Sequence, residues 1–452
     1  MSAGRRAARS AGAAPARVAA WRMLARVRAG ATLADAIARE RDALVDGRDR
    51  ALSHDLATGV LRWRSALDAT IAVSSNRELA RLDVEVLDIL RLGLYQLRHR
   101  DRLPAHAIVS DAVAMTRLAS RTSAAGFVNA VLRRLAAAGA PPPPDDAALA
   151  ALSIDAVATH LAHPAWLAAR WTARLGLDAA IAWMRFDNEP APLTLRALPS
   201  AGTRDALAER LAAAGVATQP ARWASDGLIV TRGNPLDDTA SGFVVQDEAS
   251  QIVGELAAAW PASRRLDVCA APGGKTLALW AAGVAVVAGD RRPRRVRLLR
   301  ETLARAGAGR LPIVQHDAVG ALPYRAVFDL VLVDAPCSGL GTLRREPDLK
   351  WRRTEAELAS MAAVQRRMLG HAARVVAPGG VLVYATCSSE PEENDAVAEA
   401  FLASHPEFAP AGRPPAMADG VGGLVTDEGR LHTTPVAHGL EAFFAATFRR
   451  RA

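Results

Sequence analysis

The sequence is short of cysteine and lysine and has no long uncharged apolar run. Three cysteines occur in 452 residues, none in a C-x-x-C pair. That excludes a disulfide-stapled scaffold, argues against a structural zinc site, and places the chain in a reducing, cytoplasmic compartment. No apolar stretch reaches 18 residues without a charge, so neither a membrane span nor a membrane partner is expected. No metal is expected either. Of 56 basic residues only Lys275 and Lys350 are lysines. In a chain that otherwise uses arginine, a lysine marks a place where a compact ammonium is needed and a guanidinium fork does not fit.

Half of the residues are hydrophobic and 23% are charged, as in a globular protein with two or three domains. The charge is uneven. Residues 1–140 hold 23 basic against 13 acidic side chains, and the other 312 hold 33 against 34. The positive excess therefore sits in the first third, where it suits a polyanionic partner such as a nucleic acid. Chance clustering in an arginine-rich composition is the bland alternative.

Residues 1–15 carry arginine and no acid, which predicts a disordered basic tail. From 16 to 140 the apolar spacing is helical. Leu87, Leu90, Leu94 and Leu97 mark one buried face, and further helices are expected over 16–29, 48–65, 105–120 and 125–137. The four prolines at 141–144, followed by two aspartates, predict a stiff linker over 141–149. Residues 150–187 read as helical. Strands are then expected at 193–198 and 227–231 around a helix at 203–214, making 150–240 a small α+β segment. From 241 to 452 apolar runs at 266–270, 285–289, 313–315, 330–333 and 381–384 alternate with helical stretches at 275–282, 293–306, 355–376 and 392–403. This alternation predicts an α/β fold with a doubly wound parallel sheet. A long loop is expected over 408–432, before a last strand at 443–448.

Ligands of such sheets bind at the carboxyl ends of the strands. The first run leads into DVCAAPGGKT at 267–276, a strand-to-helix turn whose glycines let a ligand approach free N–H groups. It is not a Walker A loop, because Cys269 stands where that motif needs glycine, and it is not G-x-G-x-x-G. The loop suits a nucleoside ligand without a pyrophosphate. Asp290 ends the second run, 23 residues after Asp267, at the usual place of a ribose acceptor. Asp317 follows the third run and can accept from an adenine amino group. The fourth and fifth runs lead into DAPCSGLGT at 334–342 and TCS at 386–388. Neighbouring strands lie about 4.8 Å apart, so Cys337 and Cys387 can share one pocket if those strands are adjacent. Two thiols at matching positions, with Asp334 close by in sequence, point to covalent chemistry.

Together these motifs, with VVQDEASQ at 244–251 and DLKW at 348–351, resemble the Sun/Fmu family of RNA (cytosine-C5) methyltransferases. The arginine-rich bundle, with DRALSHD at 49–55 and GFVNAVLR at 126–133, is similar to the NusB-like domain that bacterial members carry, as in the ribosomal small-subunit methyltransferase B group. One departure is Glu441-Ala442 where the family has Asp-Gly. The resemblance implies a Rossmann-like (class I) sheet that uses S-adenosyl-L-methionine, an all-α NusB-like RNA-binding domain, and methylation of C5 of a cytosine in 16S rRNA. It implies Cys387 as the nucleophile that adds to C6, Cys337 as the residue assisting proton removal and release, and Asp334 at N3. Lys275 would hold Asp334 and favour the thiolate. The cofactor would rest on Cys269, Ala270, Ala271, Pro272, Gly273, Gly274 and Lys275, with Asp290, Asp317 and Asp334. The target cytosine must be single-stranded or flipped. Arg344, Arg345, Arg352 and Arg353 are candidate phosphate contacts, and the arginines between 291 and 300 read equally as a solvated helix face or an RNA contact. The chain is expected to be a monomer.

Other readings share parts of this pattern. A DNA cytosine-C5 methyltransferase would put its nucleophile at the Pro-Cys and carry a Glu-Asn-Val, which is absent here. A tRNA or other RNA could be the substrate. A non-catalytic assembly factor would not need two thiols and Asp334. A nicotinamide dehydrogenase would need the missing fingerprint.

Overall fold

The computed structural model describes residues 12–100, 103–140, 144–236, 242–281, 283–417 and 419–452. Residues 1–11 of the expected tail and 141–143 of the expected linker lie outside the described residues. The chain divides into two compact units. The first holds Met1–Glu189 and Leu343–Arg352, the second Pro190–Thr342 and Arg353–Ala452. The sequence reading put its boundaries at 140, 149 and 240. The units divide after Glu189, and a stretch of the motif-bearing half belongs to the first unit.

The first unit is helical throughout. Its helices include Pro15–Arg28, Leu33–Arg41, Gly47–Arg62, Arg64–Ser75, Val84–His99, Ala105–Leu118 and Ala125–Ala138. The expected helix 48–65 is broken at Trp63, and Leu33–Arg41 was not foreseen. Local chemistry sets several starts: Asp46 accepts a hydrogen bond from Arg48 N, and Thr32 accepts one from Asp35 N. Val86, Ile89, Leu90 and Leu94 of Val84–His99 are buried in the core with Met23, Leu56 and Val60. Gly59 lets Tyr95 lie against its helix, since a Cβ there would stand 2.0 Å from the ring. Four further helices, Asp146–Ala150, Ile154–His160, Ala165–Leu175 and Leu177–Asn188, follow before the unit boundary.

The inserted stretch Leu343–Arg352 is anchored by Lys350, which is 1% exposed. Its ammonium donates to Asn188 Oδ1 (2.8 Å), Ala162 O (3.2 Å) and Arg62 O (3.4 Å). Burial pushes that ammonium down to about 7, with Asp187 opposing the shift. Trp351 Nε1 donates to Leu61 O, and Asp348 accepts from Leu33 N.

The second unit opens with a small antiparallel sheet of β1 (Thr194–Ala197), β2 (Ala217–Pro220), β3 (Gly227–Arg232) and β4 (Phe243–Val245), in the order β2-β3-β1-β4. Leu207 and Leu211 of the helix Arg204–Ala213 pack on Leu195, Ala197 and Leu228.

The large sheet contains β5 (Arg264–Asp267), β6 (Ala285–Asp290), β7 (Ile313–Gln315), β8 (Phe328–Asp334), β9 (Val376–Thr386), β10 (Phe408–Pro410), β11 (Arg430–Thr433) and β12 (Phe443–Arg450). The order is β10-β12-β9-β8-β5-β6-β7, with β11 on β12; β9-β8-β5-β6-β7 pair in parallel, and β12 pairs antiparallel with β9, β10 and β11. Both faces are covered, as parallel sheets require. Leu266, Val331, Val333, Leu382 and Tyr384 pack with helices Glu355–Ala373 and Asp395–Ser404. Leu330, Leu332, Val381 and Val383 point the other way, toward Ala257 and Leu279. The expected loop 408–432 is corrected: its two ends form β10 and β11, each too short to show a period in sequence.

Glu255, on the helix Glu248–Ala258, accepts from Ser225 N (3.0 Å) and Ser225 Oγ (3.2 Å). Burial pushes its carboxyl up to about 7 from 4.5. Through that window the folded chain keeps a proton that the unfolded chain has released, so this group's stabilising contribution is lost as pH rises through about 7. Glu255→Gln is therefore expected to raise stability by about 1–3 kcal/mol at pH 8 and by almost nothing near pH 4.5. Urea denaturation midpoints at the two pH values check this.

Candidate active site

The site is built from the turns at the carboxyl ends of the parallel strands. After β5 the chain turns through 268–273 into the helix Gly274–Ala281, with Gly273 at φ +120. At Gly274 a Cβ would stand 2.9 Å from the Gln246 amide, so glycine lets that side chain lie against the helix start. Arg196 Nη1, from buried β1, donates to Gly274 O at 3.0 Å. Nothing in the motif pointed to that brace.

A cavity of about 610 Å³ adjoins this turn; its walls include Cys269, Ala270, Ala271, Pro272, Gly274 and Lys275, with Asp267 and Asp334. The sequence reading took Asp267 only as the start of the motif. The structure brings it to the cavity wall, where Oδ2 accepts from Thr276 Oγ1 (2.6 Å) and Oδ1 is buried without a hydrogen-bond partner. Burial pushes this carboxyl up to about 7, against the Thr276 bond. An orphaned buried acceptor is costly, and a cationic ligand group would satisfy it.

Asp290 ends β6 and is 6% exposed. Its carboxylate accepts from Ala271 N (3.3 Å), Arg292 N (3.3 Å) and Arg295 Nε (3.0 Å), which ties it to the glycine turn. Arg295 also donates to Ala271 O. Asp317 lies just after β7; it is exposed, accepts from Val319 N and stands 3.7 Å from Arg291 Nη1. Gly273, Asp290 and Asp317 are not in the cavity wall.

The two later turns meet. In the parallel pairing of β8 with β9, Asp334 lies opposite Ala385. The register carries the next residues side by side, and Cys337 Sγ stands 3.2 Å from Cys387 Sγ. The hydrogen bond with Cys387, and then burial, push the Cys337 thiol well above its ordinary range. Burial does the same to Cys269. Gly341 closes the Cys337 turn: its N donates to Cys387 O, and its O accepts from Ala442 N. A Cβ at Gly341 would meet Ala442 O at 1.9 Å. Ala442, where the family has glycine, is not among the positive-φ residues and is accommodated.

Lys275 Nζ donates to Asp334 Oδ2 at 2.8 Å and Ser250 Oγ at 3.0 Å. Burial alone would lower this ammonium, but the charge and hydrogen bond of Asp334 outweigh it, and the charge of Cys387 acts in the same direction; the net shift is upward.

The candidate phosphate contacts are largely engaged within the protein. In the first unit Arg344 bonds Glu189 Oε2 (3.2 Å) and lies over Phe186, and Arg352 bonds Asp348 Oδ2 (3.0 Å). Arg345 is half-buried and also has a partner. In the second unit Arg353 Nε donates to Ser338 O at 2.7 Å. Among the described residues no group of three His, Cys, Asp or Glu could hold a metal ion, and no helix is long and apolar enough to cross a membrane.

Comparison with known proteins now bears on this geometry. Residues 258–449 match the family model "16S rRNA methyltransferase RsmB/F", residues 14–137 the NusB family, and residues 163–237 the ferredoxin-like domain of RsmF/B-like methyltransferases. The chain is 36% identical over 404 residues to ribosomal RNA small subunit methyltransferase B of Pseudomonas putida, covering 86% of this chain and 89% of that one. The chain belongs to the RsmB/F family of 16S rRNA methyltransferases. A probable ribosomal RNA small subunit methyltransferase B of Bacillus subtilis is 31% identical over 420 residues, covering 89% and 91% of the two chains. The crystal structure of a methyltransferase homologue from Pyrococcus horikoshii superposes with a TM-score of 0.55 at 26% identity, over 66% of this chain and all of that one. Members of the family take their methyl group from S-adenosylmethionine, and the orphaned Asp267, with Asp334 and the glycine turn at the cavity wall, fits a cationic nucleoside of that kind.

The thiol geometry can be read without any substrate. One equivalent of phenylarsine oxide, which bridges thiols held side by side, is expected to bind per chain and to be released by a dithiol. Cys337→Ala and Cys387→Ala are each expected to lose this capture and Cys269→Ala to keep it, as intact mass spectrometry will show.

Proposed function

We propose that this methyltransferase acts on C5 of a cytosine in 16S rRNA through a covalent bond between Cys387 and C6. The observation that carries the reading is the 3.2 Å approach of the two thiols at the ends of adjacent parallel strands, one of which ends in Asp334 held by Lys275. C5 of cytosine is a weak nucleophile. Addition of the Cys387 thiolate at C6 breaks the C5–C6 double bond and moves its electron pair toward C5 and N3. The Asp334 carboxyl, carrying the proton that Cys387 gives up, donates it to N3 as charge builds on the ring and takes it back after methyl transfer, and Lys275 fixes that carboxyl in place. S-adenosylmethionine, when bound, supplies an electrophilic sulfonium methyl group. The turn 269–275 with Asp290 and Asp317 would hold its nucleoside, and Asp267 its amino end.

Once C5 carries the methyl group, its proton must leave. Cys337, having released its own proton to water, takes the C5 proton as a thiolate; the electron pair restores the C5–C6 double bond, and Cys387 departs as thiolate. The rise of the Cys337 thiol suits this division, because a sulfur that holds its proton strongly is a poor resting nucleophile and, once ionised, a good base. Similarity to the small-subunit methyltransferase B proteins and the NusB family match support a ribosomal RNA substrate. The target base must be unpaired or turned out of its helix, at a cost of a few kcal/mol. Arg344, Arg345, Arg352 and Arg353 remain proposed phosphate contacts, since a guanidinium has five N–H donors and can serve an internal oxygen and a phosphate together.

Cys337→Ala is expected to accumulate a protein–RNA adduct that survives denaturing electrophoresis, with turnover reduced at least 100-fold. Cys387→Ala is expected neither to methylate nor to crosslink. The opposite pattern would exchange the two roles, and an absence of adduct in both would remove the covalent mechanism. Bisulfite sequencing of 16S rRNA from a deletion strain identifies the base.

A further inference from the structure

We propose that Glu393 is a positioning residue that sets the two thiols against each other by tying the turn after β8 to the turn after β9. The inference deepens the proposed function and rests on it where it concerns turnover. Glu393 is 0% exposed. Its Oε1 accepts from Ser338 N at 2.8 Å and Gln365 Nε2 at 2.9 Å, and its Oε2 accepts from Ser388 Oγ at 2.5 Å. Ser338 is the next residue after Cys337, and Ser388 the next after Cys387. One carboxylate therefore holds the residue beside each sulfur.

The rest of the network points the same way. Ser338 Oγ and Ser388 Oγ are 3.1 Å apart, and Gln365 Nε2 also donates to Pro336 O, the carbonyl before Cys337. Tyr384, on β9, donates from its hydroxyl to Glu393 O at 2.5 Å. Asn394 accepts from Thr386 Oγ1 at 2.6 Å and donates to Ser388 O at 2.9 Å. Those two bonds grip the residues on both sides of Cys387.

A buried carboxylate held by neutral donors is costly, and an apolar group in its place would strand the buried donors of Ser338, Gln365 and Ser388. What a charge adds here is direction. Two oxygens, each with fixed lone pairs, define the separation of two turns in a way that dispersion contacts do not. The Glu393 charge also contributes to the rise of the Cys337 thiol.

The test uses the full-length chain with Glu393→Gln, which keeps the shape and loses one acceptor. Three readouts are taken: phenylarsine oxide affinity, which reports the thiol pair without substrate; the kcat and KM of methylation; and the pH profile of kcat. The expected result is about tenfold weaker arsenical capture and a 10- to 100-fold lower kcat. KM for S-adenosylmethionine and RNA should stay within twofold, and the limb of the profile that reports Cys337 should move to lower pH. Unchanged arsenical affinity overturns the proposal, as does a loss of kcat that only tracks the folded fraction in a thermal melt. Weakened capture with unchanged kcat upholds the clamp and instead refutes the catalytic use of the thiol pair. If Glu393→Gln does not fold, Ser388→Ala removes a single donor and is expected to show the same pattern at three- to tenfold.

Discussion

The parallel pairing of β8 with β9 is the constraint on which the rest depends. Strands in register stand about 4.8 Å apart, and the register that sets Asp334 opposite Ala385 fixes which residues of the two adjoining turns face each other. A slip of one residue would send each side chain to the opposite face of the sheet. Both faces are packed: Val331, Val333, Leu382 and Tyr384 are buried on one side, and Leu330, Leu332, Val381 and Val383 on the other. Gly341 and Glu393 then lock the turns that the strands have brought together. Cys337 and Cys387 meet in the turns that follow these two paired parallel strands.

The two lysines show how composition can locate structure. Each ammonium is enclosed by oxygens: Lys275 by Asp334 and Ser250, Lys350 by Asn188 and two backbone carbonyls. A guanidinium is planar and carries donors on three nitrogens, so it would leave some of them unmatched in such enclosures. Removing either ammonium would strand buried oxygens, and the desolvation of those groups would outweigh what the pair contributes. The scarcity of lysine elsewhere in the chain made both positions visible before any coordinates.

Much of the candidate site was legible because strand-end residues obey a rule of position. The runs before 290, 334 and 386 were short, apolar and bounded by glycine, proline or acid, and each became a strand ending at that residue; the run 266–270 is corrected, since β5 spans Arg264–Asp267 and 268–270 lie in the turn. Side chains that act across the fold were not legible. Glu393 falls within a stretch read as the start of the helix 392–403, and nothing in an acidic helix start says that one of its carboxylates turns inward. Arg196 sits on a short strand far from the glycine turn it braces. Residues 343–352 continue from the Cys337 motif without a break, so sequence continuity hid their place in the first unit. These misses share a cause: periodicity reports which face of an element is buried, and not which polar atom on another element it meets.

The arginines of the first third show why charge must be counted and then placed. Arg17 pairs with Asp111, Arg26 with Glu40, Arg28 and Arg91 with Asp88, and Arg100 with Asp55. Internal pairing of this kind fixes helices to one another and uses up directional donors. It does not cancel the excess, because 23 cations against 13 anions leave the same net charge however they pair. The long-range field depends on that difference, while short-range recognition depends on which guanidinium groups still have free N–H donors. On the proposed function, such a domain would draw a polyanion by net charge, and specificity would come from where a base can be turned toward the two sulfurs. The positive excess of residues 1–140 and the thiol pair lie in different units of the chain.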